Sequence, residues 1–127
     1  MSKENVELVR RAFEAFSCGD LEAVSEVLDP AVSYTWVEPG PWDCHNADEV
    51  LRVAEERHSE AVAGPVRELI DAGDQIVLRL ENPHAEAYGA APGEDATTVV
   101  FTVSAGRIVS MHDYRSRSEA LAAVGMM

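Results

Sequence analysis

Basic residues are scarce in this chain. Ten Lys+Arg stand against 23 Asp+Glu, for a formal net charge of −13. A phosphate-binding surface needs a basic footprint, so neither nucleic acid nor an anionic membrane is an expected partner. Long apolar runs are missing too, and none approaches the about 18 residues that span a bilayer. Cysteine is limited to Cys18 and Cys44, too few for a disulfide framework. No apolar stretch follows the opening Met-Ser-Lys-Glu-Asn, so no secretory signal is read there and the expectation is a cytoplasmic protein with two free thiols. Glycine-rich phosphate loops and dinucleotide turns are absent, as is a Gly-x-Ser-x-Gly elbow. Cys44-His45 has no second Cys or His at ligand spacing, so both are read as exposed and no metal or organic cofactor is expected. Cys18 falls near a helix C-terminus, where the partial negative charge disfavours a thiolate nucleophile.

What is present is an ordinary apolar content of 46% over 127 residues. That is enough for one folded domain spanning 1–127 and excludes a disordered acidic chain. Val6, Val9, Phe13 and Phe16 recur at helical spacing within Glu4–Ser17, with Ser2 as a candidate cap. Gly19 ends that helix by permitting a left-handed residue. Asp20 caps a shorter helix carrying Leu21, Val24, Val27 and Leu28, which Asp29-Pro30 stops. Val32, Tyr34 and Trp36 then alternate with polar residues in a strand over Ala31–Val37. Two prolines and a glycine make Glu38–His45 a loop. Asn46 with Glu49 is a capping-box pattern for a third helix over Ala47–Ala63, with Val50, Leu51, Ala54, Ala61 and Val62 on its apolar side.

Val66–Ala72 and Gln75–Asn82 read as a hairpin about Gly73-Asp74. A Gly/Ala/Pro-rich stretch runs from Asn82-Pro83 to Asp95. Thr97–Ser104 and Arg107–Arg115 form a second hairpin about Ala105-Gly106. A short helix over Glu119–Val124 ends the chain. Helices early and strands late predict an α+β fold with a mostly antiparallel sheet. A curved sheet wrapped on a long helix leaves an internal apolar cavity, the default ligand site.

Several stretches, in this order and spacing, resemble one family. They are Val6-Glu-Leu-Val-Arg-Arg-Ala-Phe-Glu-Ala-Phe16, Gly19-Asp-Leu-Glu-Ala, Leu28-Asp-Pro-Ala-Val-Ser-Tyr34 and Ala47-Asp-Glu-Val-Leu. Ile70-Asp-Ala-Gly-Asp74, Gly106-Arg-Ile, Asp113-Tyr-Arg and Ser118-Glu-Ala-Leu121 continue the series. The chain resembles the SnoaL-like branch of the nuclear transport factor two superfamily. The resemblance implies a conical fold, a curved sheet wrapped on three N-terminal helices. One fold hosts many activities, so activity turns on particular residues. Ketosteroid isomerases of this superfamily place a tyrosine and two acids where this chain has Ala12, Trp36 and Thr98, which argues against steroid isomerisation by that mechanism. Epoxide hydrolases of the limonene type match at Asp113 and Tyr34. Their asparagine falls at Trp36, their arginine at Leu80 and its partner acid at Asn82. A one-residue shift would offer Arg79 and Glu81, but it would turn Ile76, Leu78 and Leu80 away from the interior. Polyketide cyclases of the family also use an acid/base aspartate on the sheet, comparable to Asp113.

Residues two apart on a strand share a face. Met111, Asp113 and Arg115 therefore point one way, and the resemblance puts that way inside. Asp113 becomes the candidate acid/base, since desolvation would raise its pKa as proton transfer at neutral pH requires. The structural alternative is an ion pair of Asp113 with Arg115 or Arg79. Tyr34 is the second candidate catalytic residue. Trp36, Leu80, Asn82, Met111 and Arg115 are candidate substrate-binding residues. Asn82 equally suits a turn before Pro83, and Arg115 equally suits neutralising Asp113. Trp42 is read as a lid or a dimer contact. His84 and Tyr88 are read as gating or solvent-exposed, and His58 as no ligand. His112 and Tyr114, with Ile108, are expected on the outer sheet face, where relatives commonly form a homodimer. The function expected is binding of a small apolar or polycyclic molecule, with acid/base catalysis of isomerase, cyclase or hydrolase type. The rival is a non-catalytic ligand-binding or dimeric accessory protein on the same fold.

Overall fold

The computed structural model describes residues 2–59 and 64–126. Helix α1 spans Ser2–Ser17 and α2 spans Leu21–Val27. The helix starts at Ser2 rather than after it. Its end is closed by Asp20 N–H on Ala15 O at 2.9 Å and Gly19 N–H on Phe16 O at 3.0 Å. Asp20 then caps α2 by accepting from Ala23 N–H at 3.1 Å, so one residue ends one helix and begins the next.

Strand β1 runs Leu28–Thr35, three residues earlier than the alternation alone indicates. It includes Pro30, which a strand tolerates only where no ladder donor is needed. The sheet order β1-β5-β4-β3-β2 places β1 at an edge, and its pairing with β5 is interrupted between Leu28 and Ser33. The remaining elements are α3 (Ala47–Ser59), β2 (Val66–Ala72), β3 (Gln75–Glu81), β4 (Ala96–Ser104), β5 (Arg107–Tyr114) and α4 (Arg117–Ala123). The expected end of α3, with Ala61 and Val62, lies outside the described residues, as does the side chain of His58. Asn46 accepts from Glu49 N–H, and Glu49 reaches back to His45 N–H rather than to Asn46. The capping box is thus one residue longer than its standard form.

Three strand pairs are antiparallel and β1–β5 is parallel. The fold is α+β with a mixed, mostly antiparallel sheet. The inner face carries Val32, Tyr34, Ile76, Leu78, Leu80 and Phe101, buried against Leu8, Val9 and Ala12 of α1, Val24 of α2 and Val50 of α3. Arg79 therefore points to the other face, in the unshifted register. That outer face is not bare. Ala120 of α4 is buried there with Val77 and Val100, and Ile70, Tyr114 and Val124 pack around them. His112 and Tyr114 stack on this face with ring centroids 4.4 Å apart. Ile108 does not join them: it is fully buried in the inner core. A register shift between Thr102 and Val103 changes the alternation along β5, so that Ile108 opposes Val103.

Candidate active site

Tyr34 on β1 pairs in register with Met111 on β5, and Asp113 lies two residues further along the same face. The two side chains meet: the Tyr34 hydroxyl donates to Asp113 Oδ2. Both residues are buried. The short loop after β1 folds back over them, because Tyr34 and Cys44 exchange both backbone hydrogen bonds, at 3.0 and 2.8 Å. That exchange buries Cys44, which the sequence placed at the surface, whereas His45 stays exposed and pairs with Glu49 at 3.3 Å. Trp42 packs its ring on the inner core from the same loop.

Asp113 and Tyr34 line a pocket of about 170 Å³. Helix α1 contributes Ala12, Phe13 and Phe16 to its wall, and α3 contributes Val50, Val53 and Ala54. The sheet adds Leu78, Leu80, Val99, Phe101 and Met111. The fourth wall is the segment between β3 and β4, through Asn82, Tyr88 and Ala90. Of the candidate binding residues, Leu80, Asn82 and Met111 line this pocket. Asn82 also serves as the turn residue: its Oδ1 accepts from His84 N–H at 2.9 Å.

Trp36 and Arg115 stand outside the lining. Trp36 donates its indole N–H to Tyr88 O at 3.0 Å and so holds the fourth wall from behind. Arg115 pairs with Glu38 and reaches Gly89 O at 3.4 Å, rather than neutralising Asp113 or facing a ligand. Arg79 is also engaged elsewhere. It is buried against Thr98 Oγ1 at 3.2 Å, Glu68 at 3.1 Å and Glu94 at 3.7 Å.

The fourth wall is accordingly ordered. Residues Ala85–Tyr88 form a short 3-10 helix, with His84 exposed at its start. Asn82 N–H to Asp95 O, at 2.8 Å, closes the base of the segment, and Ala91 N–H bonds Arg115 O at 2.9 Å. Arg67 holds Asp95 at 2.6 Å, and this hydrogen bond keeps the Asp95 carboxyl below its usual range. Gly89 sits where a β-carbon would lie 2.6 Å from Val37 Cγ2 and 3.0 Å from Trp36. Tyr88, read from the sequence as gating or solvent-exposed, is half-buried and lines the pocket; an aromatic in a Gly/Ala/Pro stretch carries no periodic signal that would decide between the two. Phe13, Phe16 and Val53 were visible only as helix core positions. Among the described residues, no group of three or more His, Cys, Asp or Glu is arranged to hold a metal ion. No helix among them is long and apolar enough to cross a membrane.

A family model described as a SnoaL-like domain matches residues 9–111. The chain belongs to the SnoaL-like domain family. No curated protein matches it. Among solved structures, this SnoaL-like chain is similar to an NTF2-like protein of unknown function from Burkholderia pseudomallei. The identity there is 25%, the TM-score 0.60, and the match covers 96% of this chain and 98% of that one. A candidate polyketide cyclase from Sinorhizobium meliloti shares 24% identity with a TM-score of 0.65, over 89% and 98% of the two chains. A candidate ketosteroid isomerase from Kribbella flavida shares 16% with a TM-score of 0.65, over 88% and 77%. The NTF2-like, ketosteroid isomerase-like fold is common to all three.

Proposed function

We propose that this SnoaL-like protein binds a small apolar molecule in the pocket and that Asp113 moves a proton on it. The observation that carries the reading is the Tyr34–Asp113 hydrogen bond, a buried tyrosine–carboxyl pair on the wall of an otherwise largely apolar pocket. Burial disfavours the charged carboxylate, while the hydroxyl donated by Tyr34 favours it. A buried carboxyl held by a hydrogen-bond donor on an apolar wall can take a proton from a bound ligand and return it. Tyr34 fixes the orientation of Asp113 and offers its own oxygen to a ligand hydroxyl. The helices supply the apolar surface that positions the ring and excludes water. Neighbours of the same fold include candidate polyketide cyclases and a candidate ketosteroid isomerase, which favours acid/base chemistry on a carbon acid as the reaction class.

A second reading rests on a specific observation. Ala12, Trp36 and Thr98 stand where isomerase relatives hold their catalytic groups, and Trp36 stands outside the pocket lining, so the same fold would serve binding alone.

Exchange of the α-protons of 4-methylcyclohexanone in D2O, followed by NMR, separates the two. The acid/base reading expects the protein to accelerate exchange and Asp113→Asn to lose about 100-fold or more of that rate. Affinity should change only a few-fold, because the amide preserves shape and can still accept from Tyr34. Binding without any acceleration would leave the binding-only reading standing.

A further inference from the structure

We infer that the pocket is built for a single ring: its ligand is a monocyclic, largely apolar molecule with one oxygen function directed at Tyr34 and Asp113, and not a fused polycycle. The inference rests on the proposal that this pocket is the ligand site, and adds the size and polarity of what it takes.

Volume is the first argument. A cavity of about 150 Å³ in a protein core holds one benzene ring. The pocket here measures about 170 Å³, room for one ring and a short substituent. A four-ring framework needs several times as much.

Rigidity is the second argument. Packed interiors resist expansion, because every displaced group loses contacts elsewhere. Phe16, Val53 and Phe101 belong to three elements that also pack on the inner core, so none can withdraw alone. The remaining wall is the one that a larger ligand would have to push aside to lie wholly within the pocket. It is tied down by Trp36 on Tyr88 O, by Arg115 on Gly89 O and Glu38, and by Arg67 on Asp95. Displacing it breaks these bonds together.

Polarity is the third. Asn82 has its carbonyl oxygen committed to His84 N–H within the turn. Thr98 Oγ1 accepts from Arg79, and most of the remaining lining is apolar, so the buried Tyr34–Asp113 pair is the principal polar feature, which favours a ligand with one oxygen there over one with several spread along its length.

The test is binding by calorimetry and thermal shift. The probes are p-cresol and 4-methylcyclohexanone against anthraquinone and a four-ring steroid ketone. The single-ring probes should raise Tm and the polycycles should leave it unchanged. Val53→Phe, which fills the chamber, should weaken the single-ring probes about tenfold or more. Leu80→Ala, which enlarges it, should admit 2-naphthol at least about tenfold better than the parent does, and provides a second readout should the filled variant fail to fold. Binding of a polycycle as tight as that of the single-ring probes, competing with them, would overturn the size inference and leave the pocket as the ligand site. If none of the four probes binds, the pocket-binding proposal falls as well.

Discussion

Tyr34 and Asp113 follow the strand alternation and line the pocket, whereas Trp36 and Arg115 stand outside the lining. The difference is where the strands stop. β1 ends at Thr35 and β5 at Tyr114, so Trp36 and Arg115 each lie one residue past the last paired position. Beyond that point the backbone is free to rotate, and Trp36 N–H turns to Asp43 at 2.9 Å. Both side chains then act on the far side of the wall at Gly89. Gly89 has φ +98°, a left-handed value that L side chains adopt at a cost of about 1–2 kcal/mol. Overlap with Val37 and Trp36 adds about 1–2 kcal/mol more. Gly89→Ala should therefore lower Tm by roughly 8–15 °C in calorimetry. A change under about 2 °C would mean that this segment is not held as described.

At the scale of elements, hairpins and helices followed from capping residues and turns, whereas three features did not. The parallel pairing of β1 with β5 joins strands far apart in sequence, and no local pattern encodes it. The register shift in β4–β5 places Ile108 inward, because the extra residue at Val109 breaks the alternation between Ile108 and the Met111–Asp113 stretch. The docking of α4 on the outer face depends on Ala120, a residue too small to announce itself. That docking is reinforced by Arg117, which holds Glu68 at 2.9 Å while Arg79 approaches the same carboxylate from the sheet. Hydrogen bonding from Arg117 is the main reason that the Glu68 carboxyl lies below its ordinary value of 4.5. A depressed carboxyl contributes stability above its unfolded pKa and loses it as pH falls through the folded one. Arg117→Ala should thus cost about 0.5–1 kcal/mol in urea unfolding at pH 7. The gap to the parent should begin to close as pH falls below the ordinary value of 4.5 and vanish once pH has fallen through the depressed folded-state value, where Glu68 is protonated in both. A gap that is constant with pH would assign the loss to packing instead.

For the whole molecule, the acidity first read as the absence of a phosphate-binding surface also has a local pattern. Asp20, Asp43, Asp95 and Glu68 are used in a cap, a turn, a loop anchor and a helix dock. Among the described residues, Asp113 is the one acidic residue buried at the pocket. The outer sheet face, expected as a partner surface, is covered in part by α4, which narrows what a second copy could contact. The family and the fold were readable from the order of weak matches along the chain. The size of the pocket was not, since it depends on how far the 82–95 segment closes, and that closure is set by residues distant in sequence.

In the proposed complex, a ligand's oxygen meets the Tyr34–Asp113 pair inside this pocket. A crystal structure with 4-methylcyclohexanone at saturating concentration tests it most directly. Ring density is expected between α1, α3 and the sheet, with the carbonyl oxygen within about 3 Å of Asp113 or the Tyr34 hydroxyl. Ligand density only at the outer sheet face, or an oxygen turned toward Phe13 and Phe16 and away from Asp113, would contradict it.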